Sequence, residues 1–538
     1  SKINMSGKYF FFLFSLCIGI TPGFNIHGTN RAISRKNGKN MIKMRIFNPT
    51  NKYKEKSNES NETKKFENVI VGGGPSGLAT AIMLARRGYK DIHVYEKLDV
   101  PPPPDSEEWG DINRSYMLGI GGRGQCALNK MELLDKIKKY CMTVNGRMSW
   151  NANQIEPKIS EFSDRKYKAC TLARDRLVAC LLEEISEKYA EQISLNYNFD
   201  CTDIKWQLEK SPKVQLTITS TKNPPAKISS HKIETNFVVG ADGVKSSVRL
   251  SMEENPELVE SLSGKPMKVF KFENKNERIY KTIPLRVPKD WRVDLNYQAQ
   301  SKMGVNFEAL PSVEGHMVGL ILYRPENDDI NNIKTIYQAR RFFKKAFPGL
   351  ERFFTDEDLK GFVKRPPSSL PSFSYCGPVL HMGPHAVLLG DTIKTIKPYF
   401  GLGVNSAFED VMILNDCLEE CNDDLAEALP LFTKKRASSV KALVDLSRGF
   451  DTTGWKQALF FVGPIIVDGF FRKLFPQIFK PNTIVMLQMP EEGSFAQVRR
   501  RKWLDRVMQV SMICALGQGV FSLAKAIFRR SIMTLFFV

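Results

Sequence analysis

Cysteine is scarce in this chain, and its spacing carries no pattern. There are ten among 538 residues, and no two are spaced as Cys-x-x-Cys. That excludes a disulfide-built scaffold and an evident zinc module. Histidine is rarer, at six. No apolar run reaches twenty residues and the mean hydropathy is −0.28, which excludes a polytopic membrane protein. Internal repeats are also missing. What remains is a globular composition, 42% hydrophobic and 25% charged, long enough for two or three cores.

Acidic residues are lacking at both ends. Residues 1–54 hold ten Lys/Arg and no Asp/Glu; from Gln497 onward eight basic residues face one acid, Asp505. The net charge of +20 therefore sits in the tails, and residues 55–496 carry only +3. A nucleic-acid binder needs its excess on the folded domain, so no nucleic-acid partner is expected.

Both ends read as address or anchor segments. Tyr9–Ile20 is an apolar stretch after Lys8, broken by Pro22 and Gly23. It is too short to span a bilayer and suits a signal peptide over 1–24. Residues 25–65 begin basic and acid-free, as a transit peptide does. Together they suggest a bipartite plastid address; a secretory or mitochondrial outer membrane destination is the alternative. Near the other end, Val507–Ala524 is uncharged for 18 residues and bracketed by basic ones. Segment 497–538 is thus expected to contact a membrane, as a spanning or a surface helix.

The body opens with a short β-branched strand, Asn68–Val71, feeding Gly72-Gly-Gly74-Pro-Ser-Gly77. A helical pattern, a second strand and a terminal acid, Glu96, follow. Gly72 suits a tight turn, Gly74 lets backbone approach a pyrophosphate, and Gly77 permits close helix–strand packing. Glu96 is placed to accept a ribose hydroxyl. The fingerprint alone does not separate FAD from NAD(P). Two later segments each follow an apolar strand, where an open α/β sheet binds ligands. One is Asp242-Gly243 with Ser246, Val248 and Arg249. The other is Gly390-Asp391 with Pro398, Gly401 and Gly403, which opens a helix.

In that order the three motifs resemble the single-component, class A FAD-dependent monooxygenases. Within them the likeness to the kynurenine 3-monooxygenase family extends over about residues 66–530. It is carried by Asn113-Arg-Ser115, Gly122–Leu128, Leu172–Leu177, Pro398–Asp410 and Phe475–Pro481. The resemblance implies that Gly72, Gly74, Gly77 and Glu96 hold the ADP half of FAD. Arg114 and Gly119 line the pyrophosphate and flavin side, Arg174 contacts FAD, and Cys201 does so through its backbone. Asp242 and Gly243 belong to a motif shared by FAD and transient NAD(P)H. Asp391 takes the ribityl chain, and Val404 and Asn405 face the pyrimidine edge. It also implies O₂ activation as a flavin C4a-hydroperoxide, with no side-chain nucleophile or catalytic base.

The substrate end departs from the pattern. Arg147 matches the family arginine that grips an amino-acid carboxylate. The expected tyrosine falls at Glu161 or Phe162, an asparagine aligns with Phe450, and a second tyrosine with Thr483. A site that loses three hydrogen-bonding groups cannot keep its preference, so a less polar, hydrophobic or aromatic substrate is expected. Gly390-Asp-Thr-Ile-Lys394 also replaces a small pair and a histidine, adding a cation.

The expected architecture is α/β: a discontinuous Rossmann-like FAD domain (66–255 and 375–425), an inserted β-sheet substrate domain (256–374), a helical region (426–496) and the membrane-associated tail. No metal site is expected: His381 and His385 share no helix face, and Cys417 and Cys421 read as buried thiols. The expected function is hydroxylation or epoxidation of a small molecule with NAD(P)H and O₂. A reductase on the same fold and a non-catalytic flavin-binding membrane component remain open, because fold alone does not give function.

Overall fold

The computed structural model describes residues 63–536, apart from 111–116, 163–164, 208, 210–212, 222–229 and 452–457. The address segments, Arg114 and the Asn113-Arg-Ser115 motif lie outside the described residues.

The Lys64–Val71 strand starts exposed and ends with four buried residues, where it enters the centre of an eight-stranded sheet. It pairs in parallel with Ile92–Glu96 on one side and Ser230–Gly240 on the other. Ile193–Tyr197 and Ala386–Leu388 extend the parallel run outward. Two further strands, Phe199–Trp206 and Val214–Ser220, form an antiparallel flap beside Ser230–Gly240. The chain therefore leaves the first strand toward one edge and returns on the opposite side. That makes the carboxyl ends of Val71 and Gly240 the topological switch point, where such sheets bind ligands.

A second sheet of seven strands stands over this crevice, in the order Ser368–Ser369, Ile279–Arg286, His316–Tyr323, Asn306–Pro311, Leu295–Gln300, Gly146–Trp150 and Lys158–Glu161. One face buries Ile283, Tyr297, Phe307 and Ile321 against Phe342, Phe343 and Phe362, which lie on the helices Ile336–Ala346 and Asp356–Lys364. Both helices begin with a full capping box, at Thr335/Gln338 and Thr355/Asp358, which satisfies their first free N–H groups. Residues 146–161 pair into this sheet, although the sequence assigned them to the nucleotide half. The outer strand Lys158–Glu161 pairs with Gly146–Ser149, whose other partner lies about 150 residues later in the chain, so no local signal marked the pair as part of this sheet.

Helices Gly403–Glu420 and Leu425–Arg448 close the far side of the nucleotide core. The apolar stretch after them is a π-helical turn, Ala458–Val462, continuing as Gly463–Leu474 with Pro464 in its first turn. Proline is tolerated there because that N–H has no intrahelical partner.

The tail is one long helix, Phe495–Phe536, but no helix among the described residues is long and apolar enough to cross a membrane. The expected membrane helix is corrected on that point. Its early turns are spent on the protein body: Gln509 and Arg506 donate to Asp468 at 3.1 and 2.8 Å, and Lys502, Asp505 and Gln509 are buried.

Candidate functional site

The first strand ends at Gly72, whose φ of +106° is a conformation L side chains avoid. A Cβ there would meet the Ala241 carbonyl oxygen at 2.4 Å, and one on Gly77 would meet the Gly72 oxygen at 1.8 Å. These glycines are what lets the strand end, the next helix and the second motif touch. Gly74 differs. A Cβ there would meet only the Arg174 guanidinium, at 3.6 Å, so its backbone faces open space beside a cation. The helix Pro75–Arg86 starts at this point, with its first N–H groups and partial positive charge aimed into the same space.

Glu96 ends the second strand. One carboxylate oxygen accepts from Gly73 N at 2.8 Å and the other from Leu98 N at 3.0 Å. Beside it lies the Tyr197 hydroxyl, buried, with no hydrogen-bond partner. Arg174 opens the helix Arg174–Lys188 and pairs with Asp175 at 2.8 Å. Cys201 is buried on the flap, and burial pushes its thiol up to about 12. It is therefore an inert wall residue, not a nucleophile.

The second and third motifs are tied together. Asp242 accepts from Ser247 N at 2.7 Å, and the Ser246 side chain caps the following helix through Arg249 N. Thr392 accepts from Gly243 N at 3.1 Å, and its carbonyl accepts from Arg249 at 3.1 Å. Thr392, a departure from the family pattern, thus serves as a clamp between the loops. Gly390, at φ +64°, packs on Ser76 of the first motif. Asp391 is open to the cavity yet deep inside the molecule. Burial raises its pKa, and Lys394 opposes that rise. Burial likewise raises Asp242.

Lys394 does not line the cavity. It is fully buried and pairs with Asp410, which also accepts from Gly390 N at 2.9 Å. Arg436 joins Asp410 and reaches Glu409 at 2.7 Å; Arg123 reaches the other oxygen of Glu409 and packs 4.3 Å over the Phe495 ring. Burial alone would raise Glu409, but Arg436 and Arg123 outweigh it and hold its carboxyl below the usual range. The cation expected beside the ligand is instead part of a buried ionic chain behind it.

Asn405 has a role the sequence reading did not give it. Its side chain accepts from Gly121 N at 2.8 Å and donates to the Gly119 carbonyl at 2.9 Å. It fastens the Met117–Ile120 strand to the start of the Gly403–Glu420 helix. Gly119 carries no atom within 4 Å on its side-chain side, and Gly401 adopts φ +60° just before the helix.

All of these segments open into one cavity of about 2200 Å³, roughly twice the upper end for a single small-ligand site. It brings together Gly72, Gly74, Glu96, Gly119, Arg174, Cys201, Asp242, Gly243, Asp391, Pro398, Gly401, Gly403, Val404 and Asn405, while Gly77 stands just behind. The open backbone at Gly74 beside Arg174, the Glu96 carboxylate and the open Asp391 carboxyl, spread along one cavity, fit an extended dinucleotide rather than a compact ligand.

The substrate candidates fare unevenly. Arg147 is buried in the second sheet, 5.9 Å from the Phe162 ring, and Phe162 lines the cavity. Glu161 pairs with Arg292 at 2.6 Å. Thr483 begins a short helix whose neighbours Asn482, Ile484 and Val485 line the cavity, but Thr483 does not. Phe450 lies in the turn Gly449–Asp451, and its side chain is outside the described residues. The sequence reading missed three polar cavity residues, Asn296, Gln298 and Glu308. Their alternation in Leu295–Gln300 and Asn306–Pro311 was visible, but polar alternation ordinarily marks a solvent face.

The model of the NAD(P)-binding Rossmann-like domain matches residues 70–101. The kynurenine 3-monooxygenase of Salinispora arenicola is 24% identical over 86% of this chain and 97% of its own length. That of Dictyostelium discoideum is 28% identical over 65% and 70%, and violacein synthase of Chromobacterium violaceum 26% over 81% and 97%. Among solved structures, 2-methyl-3-hydroxypyridine-5-carboxylic acid oxygenase superposes with TM-score 0.53 at 17% identity, covering 72% of this chain and 90% of its own. HpxO of Klebsiella pneumoniae, complexed with FAD, gives 0.52 at 16%, covering 76% and 98%. With these relatives beside the three converging motifs, the chain is similar to FAD-dependent monooxygenases, the kynurenine 3-monooxygenases among them.

Proposed function

We propose that this enzyme uses NAD(P)H and O₂ to hydroxylate or epoxidise a small, planar, aromatic-type substrate. The observation that carries the reading is the single cavity that runs from the switch point of the Rossmann sheet to the face of the second sheet. It has room for a dinucleotide and a second molecule. In this reading Gly72, Gly74 and Arg174 would hold the pyrophosphate, and Glu96 the ribose side. Asp391 receives the ribityl hydroxyls, and the helix start at Gly403–Asn405 meets the pyrimidine edge. FAD held there would supply the redox chemistry between NAD(P)H and O₂.

The protein's own part is positional. Asn405 fixes the Gly119–Gly121 backbone and the Lys394–Asp410–Arg436 chain fixes Gly390, so the cavity-lining segments beside them are oriented before a ligand arrives. Leu310, Val318, Leu320, Leu322, Ile465 and Phe470 line the cavity beyond; such apolar walls exclude water from the reacting region. No side chain is required as a nucleophile.

Purified protein should carry FAD and consume O₂ when given NAD(P)H and an accepted aromatic compound. Flavin-free protein, or reduction with no O₂ uptake across an aromatic panel, would overturn the reading. The plastid destination is a further proposal, tested by fusing residues 1–65 to a fluorescent protein; secretion of the fusion would exclude it.

A further inference from the structure

The second sheet turns two unlike faces to its surroundings. The face away from the cavity is apolar and packed against helices. The cavity face carries a polar row across three neighbouring strands. Glu308 stands directly opposite Gln298 in the antiparallel pair, and Asn296, two residues along, is the register partner of Arg147. Residues paired in this way project to the same side, with Cβ atoms about 5 Å apart. Asn296, Gln298 and Glu308 all line the cavity.

These groups are not spent on the fold. Gln298 is only 3% exposed, and its side-chain carbonyl oxygen is buried with no hydrogen-bond partner; the side-chain oxygen of the half-buried Asn296 is likewise buried and without a partner. A buried acceptor without a donor costs about 1–3 kcal/mol, so two on one face need a reason. Glu308 sits in the same row. Its carboxyl is pushed up to about 7 by burial, with Arg147 opposing the rise. A group poised there can meet a donor as carboxylate or share its own proton.

We propose that Asn296, Gln298 and Glu308 form the substrate-recognition row, and that the substrate is an aromatic compound presenting N–H or O–H donors to it. The row takes over the hydrogen bonding lost at positions 162, 450 and 483, on a different element. It departs from the sequence-based expectation of a less polar substrate: groups missing at Phe450 and Thr483 in the helical region are offered instead by the sheet. The inference deepens the monooxygenase reading and rests on it for the substrate's place in the cavity.

The test compares matched probes differing only in a donor: indole against 1-methylindole, and aniline against N,N-dimethylaniline. Binding to the purified holoenzyme is read by titration calorimetry. Wild type should prefer the donor-bearing member of at least one pair by about tenfold or more. Gln298→Met and Glu308→Gln should shrink that preference, with flavin content and thermal midpoint recorded for each. Equal binding of both members by wild type, or no binding of any probe, overturns the proposal, and so does a preference that survives in folded, flavin-loaded variants. The wild-type comparison stands even if a variant fails to fold. Flavin content and O₂ uptake in the same preparations distinguish failure of this proposal from failure of the monooxygenase reading.

Discussion

The two walls of the cavity are built on opposite principles. At the nucleotide wall many polar groups are engaged by the protein, the open Asp391 carboxyl and the Tyr197 hydroxyl excepted. Asp242 caps Ser247, Asn405 bridges two backbone segments, and Asp410 binds Lys394, Arg436 and Gly390 at once. At the sheet wall the amide oxygens of Asn296 and Gln298 have no partner. A site that takes one fixed cofactor can be pre-organised by the fold. A site that selects a visiting molecule must leave its hydrogen-bonding capacity for that molecule.

The comparison breaks most sharply at the glycines. Gly77→Val drives a side chain into the Gly72 carbonyl, where even a Cβ has 1.8 Å. Soluble, flavin-loaded protein should be lost, as absorbance of the purified fraction would reveal. Next comes the ionic chain behind the nucleotide wall. Asp410→Ala leaves Lys394 and Arg436 buried without their shared carboxylate, which should cost about 3–5 kcal/mol in denaturant unfolding. Lys394→Met should cost much less, since Asp410 keeps Arg436. Equal losses would show that the chain is not the organising element.

The sheet wall makes a pH prediction. The Glu308 carboxyl titrates higher in the fold than in the unfolded chain, so the folded state holds its proton more tightly. Its stabilising contribution is complete below about pH 4.5 and lost as pH rises toward 7, by up to ~3 kcal/mol. Asp242 and Asp391 shift the same way. Glu308→Gln should therefore flatten the slope of stability against pH without abolishing it. Asp391→Asn should weaken FAD binding by about tenfold to a hundredfold, at about 1–3 kcal/mol for a charged hydrogen bond, while the flavin-free protein, relieved of a buried carboxylate, loses no stability at neutral pH. The smallest effect belongs to the tail. Trp503, Val507, Val510 and Leu516 are exposed beside Arg499, Arg500 and Arg501, and we propose that this helix lies on a membrane surface. Trp503→Ser should lower binding to anionic vesicles and leave flavin content unchanged; equal binding would remove the tail from that role.

Legibility followed the range of the constraint. Gly72, Gly74, Gly77 and Glu96 are read from one continuous stretch because a strand, a turn and a helix start place them within 25 residues. The Gly390–Asn405 segment was equally visible, but Asn405 proved to be a strut for Gly119 and Gly121, nearly 290 residues away. Lys394 looked like a cation for the cavity until Asp410, sixteen residues on, claimed it.

The sequence by itself determined the Rossmann crevice, because glycine's missing Cβ and the polarity of a strand end act locally and allow few alternatives. Only the tertiary structure decided which polar residues face the ligand. Asn296, Gln298 and Glu308 alternate as a solvent-facing strand would, and the pleat is the same whether water or a cavity lies beyond it. Closure of the sheet over the nucleotide core, through pairings as distant as Arg147 with Asn296, turned that face inward and made it a binding surface.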